Sequence, residues 1–159
     1  MSDDPHSHPL ITLEIHTGGP PQDLPPSAYV FPNPRTAGRD GLVAFGGDFE
    51  PSTIASAYQQ GIFPWPQTAE ELLWFSPDPR AVIPLDGLHV SRRLARRIRA
   101  GGFRVTLDAA FEQVIRACAE RDEGTWITPR IIDGYTQLHE AGWAHSFEVW
   151  DLSGDLIGG

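Results

Sequence analysis

Two short alternating segments, Phe103–Leu107 (FRVTL) and Ser146–Trp150 (SFEVW), bracket a pair of helical stretches. This order constrains the chain more than any other feature. FRVTL is β-branched and alternating, which suits a pleated, half-buried strand. After it, Phe111, Val114, Ile115 and Cys118 fall at i, i+3, i+4 and i+7, one face of a helix, with Asp108 as the expected N-cap. Thr128-Pro129 supplies a cap and a first-turn proline for the next helix. Ile131, Tyr135 and Leu138 form that helix's inner face, and Gly142 ends it. Ser153-Gly154 offers a hairpin turn after the second strand, and Leu156-Ile157 opens a third. The order strand, helix, helix, strand, start of strand predicts an α+β fold. A strand that has just begun at Gly158-Gly159 leaves an open edge and too few strands to cover two helices. The expectation is therefore an incomplete sheet domain, and the alternative is a complete small domain ending in a short hairpin.

The first half is broken by proline and glycine. Residues 1–27 contain TGGPPQDLPPS and little hydrophobic rhythm, which predicts a mobile tail. His6, His8 and His16 lie in it without carboxylates at helical spacing, so no metal site is expected. Order is expected to begin near Tyr29–Phe31. Gly46-Gly47-Asp48 reads as a turn. Ser52 is the expected cap of a short helix with Ile54, Ala57 and Tyr58 on one face, and Gly61 is its stop. Ile62–Pro66 cannot continue the helix, because proline lacks the amide proton and clashes with the preceding turn. LLWFSPDPRAVIPL reads as short extended segments and turns. Ser91 caps a helix through Ala100, ended by Gly101-Gly102. The expected division is a tail over 1–27, a small N-terminal α+β domain over 28–87 and a second domain over 88–159.

Composition narrows the function classes. The chain has 159 residues, 40% of them hydrophobic, enough for a packed core. No apolar run approaches the roughly 18 residues of a membrane span, and MSDDPHSHPL lacks the basic start of a secretory signal. The expected compartment is the cytoplasm. A single cysteine, Cys118, excludes an internal disulfide and a CxxC zinc site. It sits on an inner helix stripe and is most simply a core residue. The net charge of -9 argues weakly against nucleic-acid binding in bulk, but distribution matters more than the sum. There is no lysine, and Arg92, Arg93, Arg96, Arg97 and Arg99 crowd into one short helix. Arg92, Arg96 and Arg99 share one strip, while Leu94 and Ile98 point elsewhere. Repulsion at i, i+4 costs helix stability, and the arrangement suits a phosphate backbone.

Trp65 and Trp126 lie in turns rather than on apolar stripes. A loop tryptophan offers a flat face for base stacking; plugging a small core is the alternative. Trp74, Trp143 and Trp150 are assigned to packing. Glu148 and His145 lie three apart at a strand start and face opposite sides, so a direct dyad is not expected. Asp78, Arg80 and Glu123 are polar candidates without a nameable partner. No Ser-His-Asp order, P-loop, HExxH or GxSxG is present.

Several longer strings then resemble the leucyl/phenylalanyl-tRNA–protein transferase family. They are Phe31-Pro32-Asn33-Pro34, GLVAFGGDFEPSTIASAYQQGIFPW, FSPDPRAVIPL with LHVSRR, EGTWIT, and LHEAGWAHSFEVW. They run in the family's order from about Tyr29 to Gly159. The resemblance implies an aminoacyltransferase that moves Leu or Phe from aminoacyl-tRNA to a protein with N-terminal Arg or Lys, marking it for degradation. It implies an acyl-CoA N-acyltransferase-like second domain, here truncated. Trp65 and Trp126 match the tryptophans that hold the tRNA 3′-adenosine. Arg92 and Arg96, with Arg93, Arg97 and Arg99, match the basic cluster for the tRNA body. The family's catalytic segment is expected beyond Gly159, so no catalytic residue is assigned. Neither cofactor nor metal is expected, and a monomer is favoured. An acyl-CoA-dependent acetyltransferase and a non-catalytic RNA-binding module are the alternatives.

Overall fold

The computed structural model describes residues 13–16, 20–66, 68 and 71–159. Its larger sheet is built from β1 (Leu13–Ile15), β5 (Phe103–Leu107), β6 (Phe147–Asp151) and β7 (Leu156–Gly158), in that order. β1 runs parallel to β5, with Leu13 beside Val105 and Ile15 beside Leu107. β5–β6 and β6–β7 are antiparallel. The smaller antiparallel sheet has the order β2 (Leu42–Phe45), β4 (Leu73–Phe75), β3 (Phe63–Pro64). Among the described residues four α-helices accompany the sheets: α1 (Pro51–Gln59), α2 (Arg92–Ala100), α3 (Phe111–Ala119) and α4 (Pro129–Glu140). The predicted α+β class and the order β5, α3, α4, β6, β7 are both observed.

One hydrophobic cluster joins the two halves of the sequence. Phe31, Phe49, Ile54, Ala57, Ile62, Leu72 and Trp74 from the first half pack with Ile131 and Leu138 of α4. The approach of α4 is close: a Cβ on Gly134 would lie 2.6 Å from the Phe49 carbonyl oxygen, so only glycine fits there. The hydroxyls of Tyr58 and Tyr135 meet at 2.6 Å, a second tie between α1 and α4. Burial, together with the neighbouring Tyr58, pushes the Tyr135 hydroxyl pKa far above its ordinary value.

Local signals were good guides where they were strong. The Ser91 hydroxyl accepts from the Leu94 amide at the start of α2, and Gly101 follows as its C-cap. The Thr128 hydroxyl accepts from the Ile131 amide, with Pro129 in the first turn of α4. Elsewhere the structure corrects the expectations. Residues 1–27 are not a tail throughout: β1 joins the larger sheet, and the Gln22 amide donates to the Ala141 carbonyl at 2.9 Å. A three-residue strand is too short to show a period. His6 and His8 lie outside the described residues.

α1 begins two residues earlier than the Ser52 cap implies, with Glu50 as N-cap and Pro51 in the first turn. Thr53, Ile54 and Ala57 form its buried face, whereas Tyr58 is exposed. Asp108 does not cap α3. It takes a positive φ of 61° and turns its carboxylate toward β6, while Ala110 is the N-cap without a side-chain bond. The α3 stripe, Cys118 included, is only half-buried. Trp74 is packed as expected, but Trp143 is exposed, its indole N–H donating to the Gln22 carbonyl.

Candidate functional site

Trp65 continues the line of β3, where alternation decides its direction. Pro64 and Pro66 on either side are buried, so the indole between them points outward. Its backbone N–H donates to the Leu73 carbonyl at 2.8 Å, which fixes it to β4. Its ring lies 6.2 Å from the rings of Phe63 and of Phe75, the latter edge-on. These neighbours hold the indole plane while leaving the residue 47% exposed. On the same outer side Phe45 is 84% exposed, paired across the ladder with Leu73. The smaller sheet thus packs Trp74 inward and presents an aromatic face outward.

Trp126 is 38% exposed. Its loop is pinned on both sides: the Thr125 hydroxyl accepts from the Ile127 amide, and Thr128 caps α4. Ile127 packs against the core. α1 packs against both β3 and α4, which Trp65 follows and Trp126 precedes in the chain. Neither tryptophan is a core plug.

No residue of α2 is buried. Among the described residues, no carboxylate lies within ion-pair distance of Arg92, Arg93, Arg96, Arg97 or Arg99. Arg97 has one neighbour of note, the Phe103 ring at 5.9 Å. The segment leading into α2 is also exposed, including Val82, Ile83, Leu85 and Leu88. The helix therefore presents its guanidinium groups to solvent without neutralisation.

Two polar assemblies were not legible in the sequence. Arg80 gains partners: its Nη2 donates to the Gly61 carbonyl at 2.9 Å and to the Ser76 hydroxyl at 3.0 Å. The second assembly lies at the junction of β5, α3 and β6. Glu148 is fully buried and accepts from the hydroxyls of Thr106 and Ser146 and from the amides of Ala109 and Ala110. Burial alone would raise its carboxyl pKa; the hydrogen bonds from Ser146, Thr106, Ala109 and Ala110 outweigh it and hold the pKa below the usual value. Beside it, Asp108 accepts from the Ser146 amide at 2.9 Å and from His145 Nδ1 at 2.7 Å. His139 stacks on Phe111 with ring centroids 4.3 Å apart and donates from Nδ1 to the Ala144 carbonyl. His145 pairs with Asp108 and not with Glu148, so the expected lack of a His145–Glu148 dyad holds. A lowered carboxyl pKa and a filled set of lone pairs suit an anchor rather than a proton carrier near neutral pH.

Among the described residues no helix is long and apolar enough to cross a membrane. Comparison with known proteins adds a direct result. Residues 82–159 match the family profile described as leucyl/phenylalanyl-tRNA protein transferase. Residues 47–78 match the profile of the N-terminal domain of that transferase. Curated relatives named leucyl/phenylalanyl-tRNA–protein transferase are similar over most of this chain. One from Anaeromyxobacter sp. (strain K) is 51% identical over 140 residues, covering 84% of this chain and 60% of that protein. One from Nitratidesulfovibrio vulgaris (strain DP4) is 49% identical over 140 residues, covering 86% of this chain and 59% of that protein. One from Proteus mirabilis (strain HI4320) is 51% identical over 153 residues, covering 95% and 61%. The chain thus spans about 60% of the length of the curated relatives it matches.

Proposed function

The chain belongs to the leucyl/phenylalanyl-tRNA–protein transferase family, and from that premise we propose that its protein is an aminoacyltransferase of the cytoplasm. It moves Leu or Phe from aminoacyl-tRNA to the N-terminal Arg or Lys of an acceptor protein and so marks the acceptor for degradation. The β5, α3, α4, β6, β7 order supports an acyl-CoA N-acyltransferase-like second domain.

The observation that carries this reading is the outward setting of Trp65 between two buried prolines. Trp65 and Trp126 stack on the 3′-terminal adenosine of the tRNA. The tRNA ester is already activated, so the reaction mainly needs alignment with an incoming neutral amine. A stacked terminal base provides that alignment at one end. Arg92, Arg93, Arg96, Arg97 and Arg99 contact the phosphate backbone and set register without reading sequence.

The decisive assay uses a protein of the relatives' full length, radiolabelled Leu-tRNA or Phe-tRNA, and a peptide beginning with Arg. Label is expected on the peptide N-terminus, and absence of transfer would sink the reading. Trp65→Ala is expected to weaken binding of a charged tRNA end about 10- to 100-fold, the range of one base–aromatic stack. Equilibrium titration with charged and uncharged tRNA checks this. Arg92→Ala combined with Arg96→Ala is expected to weaken tRNA binding regardless of sequence. It should also reduce the slope of log K against log salt by about two. An unchanged slope would remove α2 from the interface.

A further inference from the structure

A cleft of about 420 Å³ opens at the end of the smaller sheet. Arg35, Arg39 and Arg80 line it together with Ser76 and a single carboxylate, Asp78. Three guanidinium groups against one carboxylate leave the cleft positive. Among the described residues, none of the three arginines is in an ion pair. This cleft is separate in sequence from the arginine helix α2.

Arg80 is already oriented. Its Nη2 is held by the Gly61 carbonyl and the Ser76 hydroxyl, and its Nε donates to the Pro77 carbonyl at 3.4 Å. A guanidinium has five N–H donors in a fixed fork. Those contacts leave Nη1 without a hydrogen bond among the described residues. Arg35 and Arg39 are exposed and approach from the 3₁₀ turn Pro34–Thr36 and the loop after it. A tethered guanidinium with two exposed ones facing the same space suits a tetrahedral anion with several acceptor oxygens.

The position of the cleft selects the anion. Ser76 in its wall directly follows Phe75, whose ring packs edge-on against Trp65. The Gly61 carbonyl that holds Arg80 belongs to the turn leading into β3 and Trp65. A base stacked on Trp65 therefore lies on the sheet whose end carries the cleft. An acceptor peptide beginning with Arg or Lys would instead be repelled by the three guanidinium groups.

We infer that Arg35, Arg39 and Arg80 form a phosphate-binding cleft that holds a backbone phosphate of the RNA strand whose terminal base stacks on Trp65. The inference rests on the proposed function, and it adds a second phosphate contact region to α2. It fixes the strand at two points, through the indole and through a phosphate.

The test uses the 159-residue chain and a short ribo-oligonucleotide ending in CCA. A second oligonucleotide carries neutral methylphosphonates in place of its phosphodiesters. Arg35→Gln with Arg39→Gln is the variant, because both side chains are exposed and the fold does not depend on them. The variant is expected to bind the charged oligonucleotide about tenfold more weakly than the parent chain. Its salt slope should be lower by at least one, and it should bind the neutral oligonucleotide as the parent does. Inorganic phosphate is expected to shift the Arg80 Nε NMR signal in the parent and less in the variant. Charged-strand binding that is lost in Trp65→Ala but unchanged in the double variant would overturn the cleft and leave the proposed function standing. A phosphate response with no oligonucleotide binding to the parent would overturn the RNA assignment itself.

Discussion

Trp74→Ala is expected to cost about 3–5 kcal/mol of folding stability, the range for emptying a large aromatic site. Trp74 is 1% exposed and lies at the centre of the shared cluster. Phe31 packs edge-on at 4.9 Å between ring centroids, and Phe49 lies tilted at 5.9 Å. Its indole N–H donates to the Gly46 carbonyl at 3.0 Å, closing the turn that follows β2. Truncation removes the packing and leaves that carbonyl without its donor. Trp74→Phe separates the two contributions: it keeps an aromatic ring and loses the hydrogen bond, so it should cost less. Because Ile131 and Leu138 of α4 share the cluster, the loss should reach beyond the smaller sheet. Urea unfolding followed by far-ultraviolet circular dichroism checks this, with a large drop in midpoint expected. A shift corresponding to under 1 kcal/mol would show that Trp74 does not anchor the core.

What the sequence made legible were features whose cause is local. Ser91 caps α2 and Thr128 caps α4 because a hydroxyl reaches an amide three residues on. FRVTL is a strand because its side chains alternate within five residues. For Trp65 the flanking prolines excluded a helix, but they left an outward indole and a core plug both open; the pairing of β3 with β4 decides its direction. Features that depend on distant partners carry no such local signal. β1 exists through parallel pairing with β5, some ninety residues later in the chain. Arg80 finds Gly61 only because β3 and β4 are neighbours. The Asp108 cap was a sound local expectation that lost to a tertiary one. The positive φ of Asp108 sends its carboxylate to His145 and the Ser146 amide, and Glu148 receives the amides of Ala109 and Ala110 instead. No periodicity announces a carboxylate buried among donors from two strands and a helix start.

Glu148→Gln is the sharper probe of that junction. Glu148 sits opposite Thr106 in the β5–β6 ladder. Each carboxylate oxygen serves one hydroxyl and one backbone amide: Oε2 takes Thr106 and Ala109, and Oε1 takes Ser146 and Ala110. Hydroxyls can rotate, but backbone amides cannot. A glutamine in either orientation therefore sets its own N–H groups against the N–H of Ala109 or Ala110. The Thr106 hydroxyl is further committed, because it also accepts the Trp150 indole N–H at 2.8 Å. Losing a charge-assisted set and leaving a buried donor unpaired is expected to cost about 2–3 kcal/mol. The pH dependence has a definite sign. The folded pKa of Glu148 lies below its ordinary value of 4.5, so the unfolded chain binds the proton more readily. The stability it contributes is fully present above pH 4.5 and is lost as pH falls through the folded pKa. Urea midpoints measured from pH 7 downward should therefore fall in acid more steeply for the parent chain than for the glutamine variant. Parallel curves would mean that Glu148 titrates alike in the folded and unfolded chains, and that the four hydrogen bonds do not favour its charge.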